Sequence, residues 1–293
     1  MLKSQTYSKV HIEISNICNL QCTFCPEVIR PKKVMDEALF RRIIEQLAPL
    51  TDQVAFHLMG DPLVNPKLAT FVAICQEHHV KINLVTNGVL LRDKTADLLL
   101  NPAFRQVNFS LHSYPNNFPD RDPTAYLDRI FAFCDKAFVE REDLYINFRL
   151  WNLATPQGVE SKNIQMLERI EQRFGCHIRK DIDVRRFKSQ RLIHRLYLHF
   201  DTEFTWPSME LPVLGETGRC YGLSQHFGIL VDGTIVPCCL DKEGVIPLGN
   251  INDQPLEAIL AGPKAKAMLD GFNRGKLVED LCKRCQYITR FSR

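Results

Sequence analysis

The 293-residue chain contains no apolar run approaching the ~18 residues of a membrane-spanning helix. Its first residues, MLKSQTYSK, lack the apolar core of a secretory signal. No membrane partner is expected, and the expected compartment is cytoplasmic. Excess charge is also scarce. The 37 Lys and Arg against 34 Asp and Glu leave +3, too little to argue for a general polyanion binder. No repeat of fixed period and no low-complexity segment is present, which excludes solenoids and arrays. Hydrophobic residues at 45% and charged residues at 24% are those of a globular protein, so disordered, collagen-like and coiled-coil classes are disfavoured. What stands out is cysteine, 11 in all. Thiols in the cytosol stay reduced, so disulfides lose weight and metal, cluster or catalytic roles gain it.

Strand-like runs alternate with segments of helical period. KVHIEIS (9–15) precedes a Cys-rich loop, and MDEALFRRIIEQLAPL carries Leu39, Ile43 and Leu47 at helical spacing. Strands from Gln53, Lys81, Gln106 and Tyr145 are each followed by a helix, over about 66–78, 92–100, 123–137 and 161–174. This βα alternation predicts an α/β fold, a partial (β/α)6 TIM-like barrel over 1–199 with a small C-terminal domain over 200–293. In such a barrel the chemistry belongs at the C-terminal ends of the strands. The stretch RKDIDVRRFKSQRLIHRLYLH (179–199) is basic, and FTWPSMELPVLGETG reads as an irregular linker. Beyond it the pattern predicts short strands around VDGT and a helix over about 255–270.

Cys18, Cys22 and Cys25 lie in NICNLQCTFCPE, spaced CxxxCxxC in the loop after the first strand. Three thiolates on one short loop can ligate three irons of a four-iron cluster. The fourth iron then keeps an open position for a small molecule, the logic that separates catalytic from structural zinc sites. The spacing and position of this loop, with Phe24 before the third Cys, resemble the radical S-adenosylmethionine (SAM) superfamily. That resemblance implies a [4Fe-4S] cluster that binds SAM, reductive cleavage of SAM to a 5′-deoxyadenosyl radical, and an external one-electron reductant of flavodoxin or ferredoxin type. MGDP (59–62) resembles the family's GGEP motif, which implies SAM contacts from Gly60 and Asp61. TNG (86–88) resembles another SAM loop and implies Thr86 and Asn87; as a sequence it is equally ordinary turn chemistry. Ser110 and Arg149 occupy the fourth and fifth strand ends, where relatives contact SAM. His112 reads as a satisfied or exposed histidine.

Cys220, Cys238, Cys282 and Cys285 form a second group, C-x12-G-x4-C followed by C-x-x-C, and four thiolates complete a cluster with no open position. Asp232-Gly233 is a hairpin signal that can bring Cys220 and Cys238 together. The arrangement resembles the SPASM/twitch extension of radical SAM enzymes and implies a second, auxiliary [4Fe-4S] cluster. Cys239 is an alternative to Cys238, and a four-cysteine zinc ribbon has the same ligand count. Cys75, Cys134 and Cys176 read as small hydrophobes.

The resemblance implies oxidation or another modification of a substrate C–H bond, on a small molecule or a peptide. Modification of RNA or a protein is the alternative within the class, carried by the basic stretch with Phe187 and Tyr197. A non-catalytic iron–sulfur or zinc protein that senses redox state is the alternative from another class.

Overall fold

A computed structural model of the chain describes residues 6–290, without the side chains of 289 and 290. The chain divides into two compact units that are not contiguous in sequence. One takes the residues up to Cys18, Cys25–Ile82 and those from Phe204 onward; the other takes Asn19–Phe24 and Asn83–Glu203.

In the first unit β1 (Lys9–Ile12) runs parallel to β2 (Gln53–Phe56), with Val10 opposite Val54. Between them lies α1 (Glu37–Leu47), whose N-terminus is capped by the Asp36 carboxylate on the backbone N–H groups of Ala38 and Leu39. It buries Leu39, Phe40, Ile43, Ile44 and Leu47, the face its spacing predicts. Helix α2 (Leu68–Glu77) follows β2, and Phe40 stacks on Phe71 with ring centres 4.1 Å apart. Strand β3 (Lys81–Thr86) runs across the division between the units.

The second unit contains α3 (Asp93–Leu99), β4 (Phe104–Ser110), the short α4 (Ser113–Asn117), α5 (Thr124–Glu140), β5 (Tyr145–Leu153) and α6 (Ser161–Phe174). The basic stretch supplies two strands, β6 (Ser189–Ile193) and β7 (Leu196–Thr202), paired antiparallel. Strand β7 also pairs parallel with β5, and β5 with β4, giving the order β4-β5-β7-β6. Alternation sorts the two faces. Phe109, Phe148, Leu198 and Phe200 are buried, and Phe109 meets Phe133 of α5 edge-on. The other face is polar, with Ser110 opposite Arg149 and Arg149 opposite His199.

The C-terminal part of the first unit adds β8 (His226–Ile229), parallel to β1, and β9 (Thr234–Val236), antiparallel to β8. The predicted hairpin at Asp232-Gly233 is present, with Gly233 at φ +91°. Beyond β10 (Gly249–Asn250) the helix expected over 255–270 is two helices, α7 (Leu256–Leu260) and α8 (Pro263–Asn273). Gly262 ends one, and Pro263 takes the first position of the next, where its missing N–H costs nothing. The short α9 (Asp280–Lys283) carries Cys282. Cys75 and Cys134 are buried as expected, while Cys176 is half-buried just past α6. Among the described residues no helix is long and apolar enough to cross a membrane.

Candidate functional site

The Cys-rich loop leaves β1 and belongs to both units in turn. Cys18 and Cys25 are exposed and Cys22 is half-buried. In the first unit the residues ahead of Cys18 are fixed by the MGDP turn. Gly60 sits at φ +74°, and a Cβ there would come within 2.4 Å of the Ser15 carbonyl oxygen and 2.7 Å of that of Ile17. Only glycine allows this approach. The Asp61 backbone N–H then donates to the Ile17 carbonyl at 2.9 Å. Asp61 itself is buried, and its Oδ1 accepts from the Leu63 N–H, capping a 3-10 turn at Pro62–Val64. The chain after Cys25 is held as firmly. Glu13, with a side chain 0% exposed, forms a bidentate pair with Arg30 at 2.8 and 3.0 Å and also accepts from the Val231 N–H. Burial pushes the Glu13 carboxyl above its usual range, and Arg30 opposes that shift.

In the second unit the middle of the loop, 19–24, rests on the strand ends. Asn87 donates through Nδ2 to Asn19 Oδ1 at 2.9 Å, while its own Oδ1 accepts from the Val89 N–H. The Thr86 hydroxyl accepts from the Gly88 N–H, so TNG is both a turn and a contact. Asn116 and Asn117 of α4 accept from the backbone N–H groups of Thr23 and Gln21, and Asn117 Nδ2 donates to Cys22 Sγ at 3.0 Å. The sequence carries no signal for these asparagines, because the contact is purely tertiary.

Phe24 lies against the His112 ring, centres 4.8 Å apart. His112 is buried, its Nδ1 lies 3.0 Å from the Arg149 carbonyl, and burial lowers its pKa to about 4, so the ring is neutral near pH 7. The Arg149 guanidinium donates to Asn108 Oδ1 at 2.9 Å and stands 4.4 Å over the Trp151 ring. Burial lowers its pKa to about 10. Ser110 ends β4, half-buried. Thus Phe24, Asn87, Ser110 and Arg149 lie on or against neighbouring strand ends of one unit, as Gly60 and Asp61 do in the other.

The second cysteine group lies wholly in the first unit. Cys220, Cys238, Cys282 and Cys285 are all half-buried. Burial pushes all four thiols up, Cys238 well up, and each is raised further by neighbouring cysteines except Cys220. Backbone N–H groups work the other way. That of Gly222 lies 3.3 Å from Cys220 Sγ, and those of Leu240 and Tyr287 favour the thiolates of Cys238 and Cys285. Desolvated sulfurs beside one another, met by N–H donors, form a donor set suited to a cluster that brings its own positive charge. Cys239 packs on the apolar group of Val28, Leu58, Met59, Leu230 and Val236, as Trp206 does, and also neighbours Cys220 and Cys285. Among the described residues no group of three or more His, Cys, Asp or Glu side chains closes round one point to hold a single metal ion.

The basic stretch is largely matched by acids. Arg179 pairs with Asp181, Lys180 with Glu171, Arg185 with Asp183 and Lys188 with Asp201. This weakens it as a phosphate-binding strip.

Comparison with known proteins agrees with this geometry. The family model of the radical SAM superfamily matches residues 12–141, and that of the iron–sulfur cluster-binding domain named SPASM matches 220–286. The S-adenosyl-L-methionine-dependent 2-deoxy-scyllo-inosamine dehydrogenase of Niallia circulans is 28% identical over 114 residues, 36% of this chain and 46% of that protein. The PqqA peptide cyclase of Gluconobacter oxydans is 29% identical over 101 residues, 33% of this chain and 28% of that one. The matched stretches therefore span less than half of these relatives. Among solved structures, BtrN in complex with AdoMet and 2-DOIA superposes with a TM-score of 0.58 at 18% identity, covering 97% of this chain and 94% of that one. Streptococcus suis SuiB bound to the precursor peptide SuiA gives 0.63 at 16% identity, covering 99% and 74%. At these identities the likeness is one of fold.

Proposed function

We propose that the chain, whose residues 12–141 match the radical SAM model and 220–286 the SPASM model, is a radical SAM enzyme that oxidises or otherwise modifies an unactivated C–H bond of a small molecule or a peptide. The observation that carries this reading is the pairing of an exposed three-cysteine loop with a half-buried, desolvated four-cysteine group in one chain. When bound, SAM and its [4Fe-4S] cluster supply one-electron chemistry able to break such a bond. The chain's own residues bind, orient and exclude water.

In this reading Cys18, Cys22 and Cys25 hold the SAM-binding cluster, and Asn117 tunes it through its hydrogen bond to Cys22 Sγ. Gly60, Asp61, Thr86, Asn87, Ser110 and Arg149 contact SAM in this reading, and Phe24 packs on His112. The Arg149 guanidinium, enclosed and bonded to a neutral amide, suits an anionic group such as a carboxylate. Cys220, Cys238, Cys282 and Cys285 hold one auxiliary [4Fe-4S] cluster. The apolar packing of Cys239 supports Cys238 as the ligand. Oxidation fits the resemblance to a dehydrogenase and peptide modification the resemblance to a peptide cyclase. An external one-electron reductant and a cytoplasmic setting belong to the same reading. Pairing of Arg179, Lys180, Arg185 and Lys188 with acids favours a small molecule or peptide over RNA.

The test is anaerobic reconstitution with iron and sulfide, reduction with dithionite in the presence of SAM, and quantification of 5′-deoxyadenosine. Formation of 5′-deoxyadenosine is expected. None from a reduced, cluster-loaded protein would overturn the enzymatic reading and leave a redox-sensing iron–sulfur protein.

A further inference from the structure

The segment after Cys25, residues 26–33, is a surface loop held with unusual firmness for its exposure. Arg30 anchors it inward through the buried Glu13 and donates from Nε to the Lys242 carbonyl at 2.8 Å. Asn16 clamps it twice more, donating to the Pro31 carbonyl and accepting from the Lys33 N–H at 2.7 Å, and the Ser15 hydroxyl donates to the Lys33 carbonyl. A second turn is tied alongside, with Lys242 Nζ on the Glu27 carbonyl at 2.7 Å and Glu243 Oε1 accepting from the Ile29 N–H. What this rigid pair of segments presents outward is apolar and basic. Ile29 is 81% exposed and Val245 43%, and Pro31, Lys32 and Lys33 are exposed beside them.

A single exposed isoleucine needs no explanation. Three further observations remove it from that class. The loop is preorganised, so a partner loses little entropy in ordering it. Lys32 and Lys33 have no ion-pair partner among the described residues, whereas the longer basic stretch at 179–188 pairs most of its charge with acids within it or nearby. Of the acids within these two segments, Glu243 is answered by Arg30 and Lys242, leaving Glu27 against two unmatched lysines. The patch also starts at Cys25. Ile29 is four residues on, so even a fully extended chain keeps it within ~14 Å.

We propose that the 26–33 loop and the adjoining 242–245 turn form the docking surface for an acidic one-electron carrier of the flavodoxin or ferredoxin class, with Ile29 as the apolar anchor and Lys32 and Lys33 as the steering charges. The proposal rests on the reading that the Cys18, Cys22 and Cys25 loop holds a cluster reduced from outside. Docking makes and breaks no covalent bond. The carrier gives up one electron and is oxidised by one, and the chain's iron is reduced by one. An apolar centre with a basic rim is the complement of an acidic carrier, and rim charges act mainly on association rate and its salt dependence.

The test uses the cluster-loaded enzyme and a bacterial flavodoxin. Calorimetric titration at low and moderate salt should show binding that weakens steeply with salt. In K32E/K33E the Kd should rise by about tenfold or more and lose most of its salt dependence, and Ile29→Ser should raise it less, without altering the salt slope. Lys32→Gln/Lys33→Gln repeats the test without charge reversal. With dithionite as reductant these variants should form 5′-deoxyadenosine at the wild-type rate, since the carrier is bypassed; with reduced flavodoxin they should be slow. An unchanged Kd in the lysine variants would overturn the proposal. A wild-type enzyme that forms no 5′-deoxyadenosine with dithionite would overturn the functional reading instead, while the titration would still decide whether this surface binds the carrier.

Discussion

The two cysteine groups differ in what surrounds the sulfur. Cys18 and Cys25 stand exposed on a loop, and Cys22 receives a hydrogen bond from a side-chain amide. Cys220, Cys238, Cys282 and Cys285 are half-buried, Cys282 on α9 and the others in loops, with burial pushing every thiol up. Exposure suits a cluster with one iron left for a small molecule. Desolvation suits a cluster whose ligands all come from the chain. The contrast extends to assembly: thiols that resist ionisation need the metal's charge to lose their protons, so loading the second group couples metal binding to folding and to proton release.

The largest effect expected from this contrast is in iron and activity. Replacing Cys18, Cys22 and Cys25 together by Ala should reduce 5′-deoxyadenosine to background while leaving about four irons per chain. Replacing Cys220, Cys238, Cys282 and Cys285 should leave the other four irons and lower the thermal midpoint, because those sulfurs lie inside the first unit. Iron and sulfide analysis of both proteins decides it. Loss of all iron from either set would break the division of ligands.

Two short stretches, CxxxCxxC at 18–25 and C-x-x-C at 282–285, were legible because their spacing is local. So were β3 and α6, whose boundaries match the run KINLVT and the segment 161–174. Strand β7 was hidden in the basic stretch: Leu196, Leu198 and Phe200 alternate correctly, but the charged residues around them dominate the composition. The break between α7 and α8 was written in Gly262-Pro263 and was outweighed by helical period on either side. The pairing of β8 with β1, more than two hundred residues apart, and the bond from Asn117 to Cys22 left no local trace, since both depend on the folded chain.

The exposed loop is held from behind by one buried ion pair, and the next largest effect lies there. Arg30→Leu leaves the Glu13 carboxylate enclosed without its cation, which costs about 3–5 kcal/mol. Urea unfolding at pH 7 should show that loss. It should shrink toward pH 5, where Glu13, already shifted upward by burial, takes up a proton and no longer carries a buried charge. A loss below 1 kcal/mol would mean that the backbone bonds of Asn16 suffice to hold the loop.

His112, packed on Phe24, makes a pH-dependent contribution. Its folded pKa is lowered to about 4 from an unfolded value near 6.5. The unfolded chain therefore binds the proton first. The stability from the neutral ring is present above pH 6.5 and is lost as pH falls toward 4, about 3 kcal/mol in all and most of it by pH 5. His112→Gln should flatten that part of the stability curve. An unchanged slope between pH 7 and pH 5 would show that the ring is protonated in place and that Phe24 rests on a cation.

The smallest expected effect separates two adjacent cysteines and gives the sharpest test of the contrast. Cys239 packs on Val28, Leu58, Met59, Leu230 and Val236, and burial raises its pKa to about 11, so its thiol is a neutral, compact hydrophobe. Cys239→Ala removes one sulfur from a packed site and should cost about 1 kcal/mol, with iron content unchanged. Cys238→Ala removes a sulfur that neighbours Cys239, Cys220 and Cys282 and should deplete the auxiliary iron. Retention of iron in Cys238→Ala with its loss in Cys239→Ala would exchange the two roles. It would also mean that a sulfur in an apolar cluster ionises readily once iron is offered, so that burial is no guide to which thiols are ligands.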